Sequence, residues 1–457
     1  MTKEPTEIPK NRTVGTLTYT TGGLALLFFW LLFGDFAISM RERAALPSVT
    51  ELLRQHHASA TTLSVLLTVL PAIISMVLVP VVCYKSDRFR SRWGRRIPFL
   101  IIPTPVAALA MVGIGFCPWL GKSVHGLLGA ASPGVDFCVL FFFCIFWTLF
   151  EILALLTLAI LNGLLNDVVP HGLLGRFFAC FRMVSLGAGM VFNYWIFKLT
   201  ETHLFEIFLF IGLFFGAAFT LMCVMVKEGG YPPPESEEAA GGHPRGFVAN
   251  ARSYLKECFS HSYYLWIFAG LMVANLAFAA FGPFAQWYAD SLGMPKDTFG
   301  KLTAMAYGVS ICLAFLIGWL VDRLSALRVA IAMMSLYMLV SFAGFFLVRG
   351  PFVFGVVYVL AVVLSGSYFT AAASLPMVLF PKLRFTQFAS AAGILQSVST
   401  IALGMTLGPL LDLSGRNYAI CFLISGIFAT AGLAFLTVIL RKFRAREMDG
   451  QAAFVTP

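Results

Sequence analysis

Seven side chains able to carry charge or exchange hydrogen bonds lie inside stretches otherwise built from Leu, Phe, Ile, Val and Ala: Asp35, Glu151, Asn162, Arg176, Arg182, Asn275 and Gln286. Such groups are costly in apolar surroundings unless they face a partner or water, so each is a candidate for function. Glu151 and Asn162 stand 11 positions apart, about three helical turns and roughly 20° of rotation, so on a helix they share a face. The same spacing relates Arg182 to Asn193 and Asn275 to Gln286, giving three polar faces for one cavity. Carboxylate, guanidinium and amide groups match the hydroxyls of a sugar, which donate and accept, while aromatic side chains stack on its ring. Asp35 or Glu151 can in addition carry a proton. Plainer roles exist for each. Glu151 with Arg182 can be a structural ion pair, Asp35 can be capped by its neighbours, and Arg176 can anchor a helix end. Asn275 and Gln286 can be interhelical contacts worth about 0.6 kcal/mol each. The nine Cys are scattered without ligand spacing, and neither a phosphate loop nor a nucleophile elbow occurs, so no metal, no disulfide framework, no cofactor and no enzyme activity are expected.

Composition dictates the elements that position these groups. The chain is 59% hydrophobic and 12% charged, with a mean hydropathy of +0.85, outside the range of soluble domains. Apolar runs of membrane-crossing length fall near 21–43, 60–84, 97–117, 136–166, 177–199, 204–226, 263–289, 299–321, 326–348, 352–378, 385–411 and 418–440. Twelve helices follow, because every backbone group in lipid must be bonded internally and no alternating strand pattern occurs. Lys85 to Pro98, KSDRFRSRWGRRIP, places six basic residues between two runs; basic loops face the cytoplasm, which puts both termini inside. The net charge of +10 is thus topological, and no nucleic-acid partner is expected. The polar N-terminus shows no removable signal peptide. The expected organisation is a cytoplasmic tail at 1–20, a six-helix bundle at 21–226, a Pro-, Gly- and Glu-rich cytoplasmic linker at 227–262, a second bundle at 263–440 and a tail at 441–457. The end of the linker, FVANARSYLKECFSHS, has the pattern of an amphipathic surface helix. His56 and His57 fall in an external loop and are expected to be solvated.

The halves repeat. Ser86-Asp87-Arg88 after the second run is echoed by Val321-Asp322-Arg323 after the eighth, and Val168-Val169-Pro170 by Leu379-Phe380-Pro381. Parallel six-helix repeats joined by a cytoplasmic linker resemble the major facilitator fold, which implies a secondary transporter with a site near the midplane. Its loop signature is matched by Asp87, Arg88, Gly94, Arg95 and Arg96, and in the second half by Gly318, Asp322 and Arg323; these eight are the expected cytoplasmic gate. The wording RSRWGRRIPFLI, with Asp35-Phe36-Ala37-Ile38 and Arg176-Phe177-Phe178-Ala179, resembles the glycoside–pentoside–hexuronide cation symporters of the melibiose permease type and the related sucrose transporters. That resemblance implies that Asp35, Glu151 and Arg176 hold sugar hydroxyls. It also implies a sodium site on the second helix, yet Ser75 and Val79 stand where the family keeps its carboxylates. A sodium ion needs several oxygen ligands, a proton one carboxylate. The resulting expectation is an importer of a sugar or glycoside, coupled to protons through Glu151 or Asp35, acting as a monomer in the plasma (inner) membrane. An uncoupled facilitator or exporter of another small polar solute, or a transporter-like sensor, are the alternatives.

Overall fold

The computed structural model describes residues 13, 14, 16–170, 174–229, 259, 262–373, 375–380 and 385–448. Nearly all of them are helical, as lipid requires, and eleven helical stretches among them are long and apolar enough to cross a membrane. The remaining expected run, 177–199, is the helix α7 described below, prolonged by a π turn at Phe192–Ile196 and a 3-10 turn at Phe197–Glu201. The fold is therefore an all-α membrane protein. Most of the linker, including the amphipathic pattern at its end, lies outside the described residues.

The chain forms two compact units, Met1–His57 with Val77–Pro234, and Ala58–Met76 with Glu235–Pro457. The first opens with two short antiparallel strands, β1 (Thr13–Val14) and β2 (Leu17–Thr18). Helix α1 (Thr21–Gln55) follows. In the next membrane stretch, α2 (Ala60–Ser64) passes through a π turn at Val65–Val69 into α3 (Leu70–Arg88). Then come α4 (Ile97–Ile101), α5 (Pro103–Leu128), α6 (Val135–Val168), α7 (Leu174–Val191) and α8 (Leu204–Met225). The core of this unit joins Leu27, Leu31 and Ile38 of α1 to Leu161 and Leu164 of α6, Phe177 of α7 and Phe215 and Phe219 of α8. The β-strand tail is tied down by Tyr19, whose hydroxyl donates to the Val168 carbonyl at 3.1 Å; burial pushes that hydroxyl up to about 12, so it remains a donor.

The second unit comprises α2, the first turns of α3, α9 (Ser262–Ala279), α10 (Ala285–Ser291), α11 (Lys296–Leu324), α12 (Ala326–Leu347), α13 (Pro351–Ala372), α14 (Leu375–Leu379), α15 (Phe385–Leu413) and α16 (Ala419–Met448). Its core is aromatic: Tyr264, Phe268, Phe380 and Phe388 pack with Tyr337, Tyr368 and Ile439.

Three differences from the sequence reading matter for function. The first apolar run does not end at 43; α1 spans 35 residues, about 50 Å against roughly 30 Å of hydrocarbon, so Arg41, Glu42 and Arg43 lie within the helix. The seventh run is interrupted between α9 and α10 by a 3-10 turn at Gly282–Phe284, so the 11-residue spacing of Asn275 and Gln286 no longer defines one helical face. A boundary at the linker alone assigns 60–84 wholly to the first bundle, whereas Ala58–Met76 belongs to the second unit.

Candidate functional site

In the first unit the polar groups gather at mid-helix. Asp35 and Arg41 straddle the centre of α1, and Glu151 lies 16 residues after Val135 and 17 before Val168 in α6. Asp35 is 1% exposed; Ser39, one turn on, donates to its Oδ1 at 3.3 Å, and Oδ2 has no partner among the described residues. A buried carboxyl oxygen without a partner is expensive, which makes Asp35 a candidate for function. Arg41 is also 1% exposed. Its guanidinium lies over the Phe215 ring at 4.6 Å and the Phe150 ring at 5.6 Å, a cation–π setting that partly replaces water. Nη2 donates to Glu42 Oε1 at 3.3 Å, while Nε and Nη1 have no partner among the described residues. Glu151 is within electrostatic reach of Arg41 and Glu42, and Asp35 of Glu42 and Arg43.

The cation within electrostatic reach of Glu151 is thus Arg41 of α1. Arg182, on an exposed face of α7, is within electrostatic reach of Arg43. The triplet Arg41-Glu42-Arg43 is the hub of this cluster, and the sequence reading missed it by taking it for a helix end. The signal was present: RERAALPSVTELL continues helical periodicity beyond it. Asn162 lies on an exposed face of α6. Asn193 is 5% exposed, and its Nδ2 donates to the Gly189 carbonyl at 2.8 Å, so that donor serves its own helix. Arg176 falls in α7, with its side chain outside those described.

The second unit holds a cavity of about 310 Å³ lined by Asn275 together with Tyr368 and Gln396, which the sequence reading did not single out, and by apolar side chains such as Leu271, Phe369 and Phe380. Three polar groups on an otherwise apolar wall suit a small neutral solute. Gln286 is 7% exposed in α10, away from this lining; its Nε2 has no partner among the described residues.

At the end of the first unit that the basic residues assign to the cytoplasm, the loop before α4 is clamped from two sides. Arg95 grips Asp167 through Nε at 3.0 Å and Nη2 at 2.6 Å, and Arg96 Nε reaches Asp167 Oδ2 at 2.5 Å. Room for Arg96 comes from Gly163, one turn before Asp167: a Cβ there would stand 2.2 Å from Nη1. The Glu228 carboxylate accepts from the backbone N–H groups of Arg95, Arg96 and Ile97 at 2.9, 2.8 and 2.7 Å, an anion on a helix N-terminus. Gly94 has φ +106°, and a Cβ would meet the Glu228 side chain at 2.5 Å, so only glycine serves there. Asp87 and Arg88 end α3 and Asp322 lies near the end of α11; the side chains of these three lie outside those described. Gly318 has open space around it, and Arg323 stacks on Trp319 at 4.3 Å. At the opposite end His56 is not simply solvated: its Nδ1 pairs with Asp136 Oδ1 at 2.8 Å. Ser75 and Val79, where the melibiose type places carboxylates, lie in α3. Among the described residues no cluster of His, Cys, Asp and Glu is arranged to hold a metal ion.

A helical protein of two membrane-embedded units, with buried charges at mid-helix and a basic clamp at one end, is of the transporter class. The family model described as Major Facilitator Superfamily matches residues 27–409 and, again, 267–454, and the chain belongs to that superfamily: it is a multi-pass membrane transporter and not an enzyme. No curated protein matches it in sequence. Among solved structures it is similar to a mutant of the nucleoside transporter NupG (13% identity, TM-score 0.67, covering 90% of this chain and 99% of the other). It is also similar to a D-xylose-proton symporter (14%, 0.61, 90% and 96%) and to a bacterial homologue of the iron transporter ferroportin (13%, 0.66, 91% and 99%). At such identities these likenesses show the fold alone.

Proposed function

We propose that the chain imports a sugar or glycoside by proton symport, through alternating access, as a transporter of the glycoside–pentoside–hexuronide type working as a monomer in the plasma (inner) membrane. The observation that carries this reading is the pair of mid-helix carboxyl groups in the first unit, Asp35 with an oxygen that has no partner among the described residues and Glu151 within electrostatic reach of Arg41. A carboxyl group in apolar surroundings binds a proton readily, and its ionised form draws on the neighbouring cation, so protonation changes the charge balance of the cluster. If proton and solute bind the two access states with different affinity, the pH gradient drives accumulation. The neutral cavity around Asn275, Tyr368 and Gln396 supports a hydroxyl-bearing solute, and the similar D-xylose-proton symporter makes a sugar the first class to try. Sodium coupling is disfavoured because Ser75 and Val79 offer no carboxylate. That same loss supports a second reading, an uncoupled facilitator or exporter of a polar solute.

Uptake of a panel of mono- and disaccharides into proteoliposomes, with and without an inward proton gradient, separates the two. Symport predicts accumulation above equilibrium only with the gradient, and Glu151→Gln removes it while leaving exchange of solute across the membrane. Uptake that ignores the gradient for every solute carried overturns the coupling.

A further inference from the structure

In the second unit an acidic side chain closes the start of a helix that is far away in sequence. Helix α2 begins at Ala60, and its leading N–H groups have no carbonyl within the helix to bond. All of them are nevertheless satisfied. Ala60 N–H donates to Asp412 Oδ1 at 2.9 Å and Thr61 N–H to Oδ2 at 2.8 Å; the Thr61 hydroxyl adds a bond to Oδ2 at 2.5 Å. Thr62 N–H goes to the Ser59 hydroxyl at 3.0 Å, and Leu63 N–H to the Ser59 carbonyl at 3.1 Å. The carboxylate thus supplies the acceptors that Ser59 cannot, and its charge sits on the positive end of the helix. These residues all belong to the second unit.

The seam continues for about two turns below this cap. Ser64 Oγ donates to the Gly404 carbonyl at 2.6 Å. Gly404 and Gly408, four apart on α15, leave no space for a side chain: a Cβ on Gly408 would stand 2.8 Å from Ser64 Cβ and 2.9 Å from Thr61 Cα, and one on Gly404 would stand 2.7 Å from Val69 Cγ2. Within the seam the helix departs from α geometry, in the π turn Val65–Val69, whose Thr68 and Val69 pack against Gly404, and Pro71 follows. Beyond Met76 the same continuous helix belongs to the first unit. A π turn inside a helix is frequent at functional sites, and this one lies in a segment that is covalently continuous with the first unit but belongs to the second.

We propose that Asp412 is a gating residue: its carboxylate, on the face that the charge distribution assigns to the outside, latches the start of α2 to α15, and release of this cap is the step that admits solute from outside. The Gly404–Gly408 seam provides the contact surface, and Asp412 provides the part that can be broken without leaving a cavity. Once released, the N–H groups of Ala60 and Thr61 and the carboxylate all face water, which takes over as partner.

Alkylation of a Ser64→Cys reporter by a bulky membrane-impermeant maleimide tests this in the full chain, read by peptide mass spectrometry in intact cells and in inside-out vesicles. Ser64 is 1% exposed, so labelling reports seam opening. Asp412→Asn keeps the shape and removes the charge. The expected result is at least tenfold faster labelling from the outer side, no acceleration from the inner side, and labelling of a Ser341→Cys control, buried elsewhere in the same unit, unchanged within twofold. Equal rates in the parent, Asp412→Asn and Asp412→Ala overturn the proposal, as does a parallel rise at the control position, which signals general loosening. Should the first reporter fail to fold, Thr68→Cys, 9% exposed on the same helix stretch, takes its place.

Discussion

At the scale of single residues, the charge pattern in the first unit turns on Arg41. A fully buried guanidinium with one ion-pair partner and two aromatic faces has exchanged strong hydration for weaker contacts, and a buried charge of that kind is retained only with a compensating anion close by. Glu42 is the first such anion, and Glu151 adds to it across helices. Replacing Arg41 by Met therefore destabilises the protein, and so does Glu151→Gln, but the double variant recovers part of the loss. A double-mutant cycle on thermal unfolding in detergent is expected to give a coupling energy of about 1–3 kcal/mol; simple additivity would show that the two groups do not sense each other. Asp35 and Glu151 were legible from sequence because a lone carboxyl in an apolar run has few innocent explanations. Arg41 was not legible, since an Arg-Glu-Arg triplet twenty residues into a run looks like the water interface. Only the true length of α1 moves it to mid-helix. Asn275 illustrates the converse: its polarity was visible, but its cavity mates Tyr368 and Gln396 lie roughly 90 to 120 positions away, beyond the reach of any helical period.

At the scale of elements, the membrane helices were readable because their length and apolarity are imposed by the bilayer, whereas their irregularities are imposed by neighbours. The π turn at Val65–Val69 and the break between α9 and α10 left only weak traces in composition, the nearby prolines Pro71 and Pro283. The loop before α4 shows how local chemistry and distant partners combine. Its arginines announced a gate, but the acceptors come from elsewhere, Asp167 from the end of α6 and Glu228 from the segment just after α8. Glu228 bonds three successive N–H groups at the helix start, and its charge adds to the attraction. Glu228→Gln keeps one acceptor oxygen and loses the charge, with an expected cost of about 1–2 kcal/mol. Gly163→Leu is harsher, because a side chain there occupies the space of the Arg96 guanidinium and separates Arg96 from Asp167. The measurement for both is the unfolding midpoint of purified protein as a function of salt. Loss of these ion pairs is expected to flatten the salt dependence of the parent, and an unchanged dependence in Gly163→Leu would remove the clamp from the account.

At the scale of the whole molecule, sequence repeats announced the family, and the family model's second match over 267–454 agrees with a chain built twice from one pattern. The same pattern fixes sidedness, since an even number of crossings separates each cytoplasmic loop from the next. Basic residues crowd the Lys85–Pro98 loop, and retaining positive charge inside is the strongest orienting influence on short loops. The turn between α5 and α6, one crossing further on, must then face outward; it is the exposed 3-10 segment Gly129–Ala131. Two single substitutions put the orientation to a direct test. Arg92 and Ala130 are both exposed, and neither Arg92→Cys nor Ala130→Cys removes enough charge to turn the protein over, because five basic residues remain in the loop even in the first. In intact cells an impermeant maleimide is expected to label Ala130→Cys and spare Arg92→Cys, and in inside-out vesicles the preference reverses. Labelling of Arg92→Cys from outside would invert every assignment of inner and outer face at once. The basic clamp would then face the medium, and the Asp412 cap would stand on the cytoplasmic side.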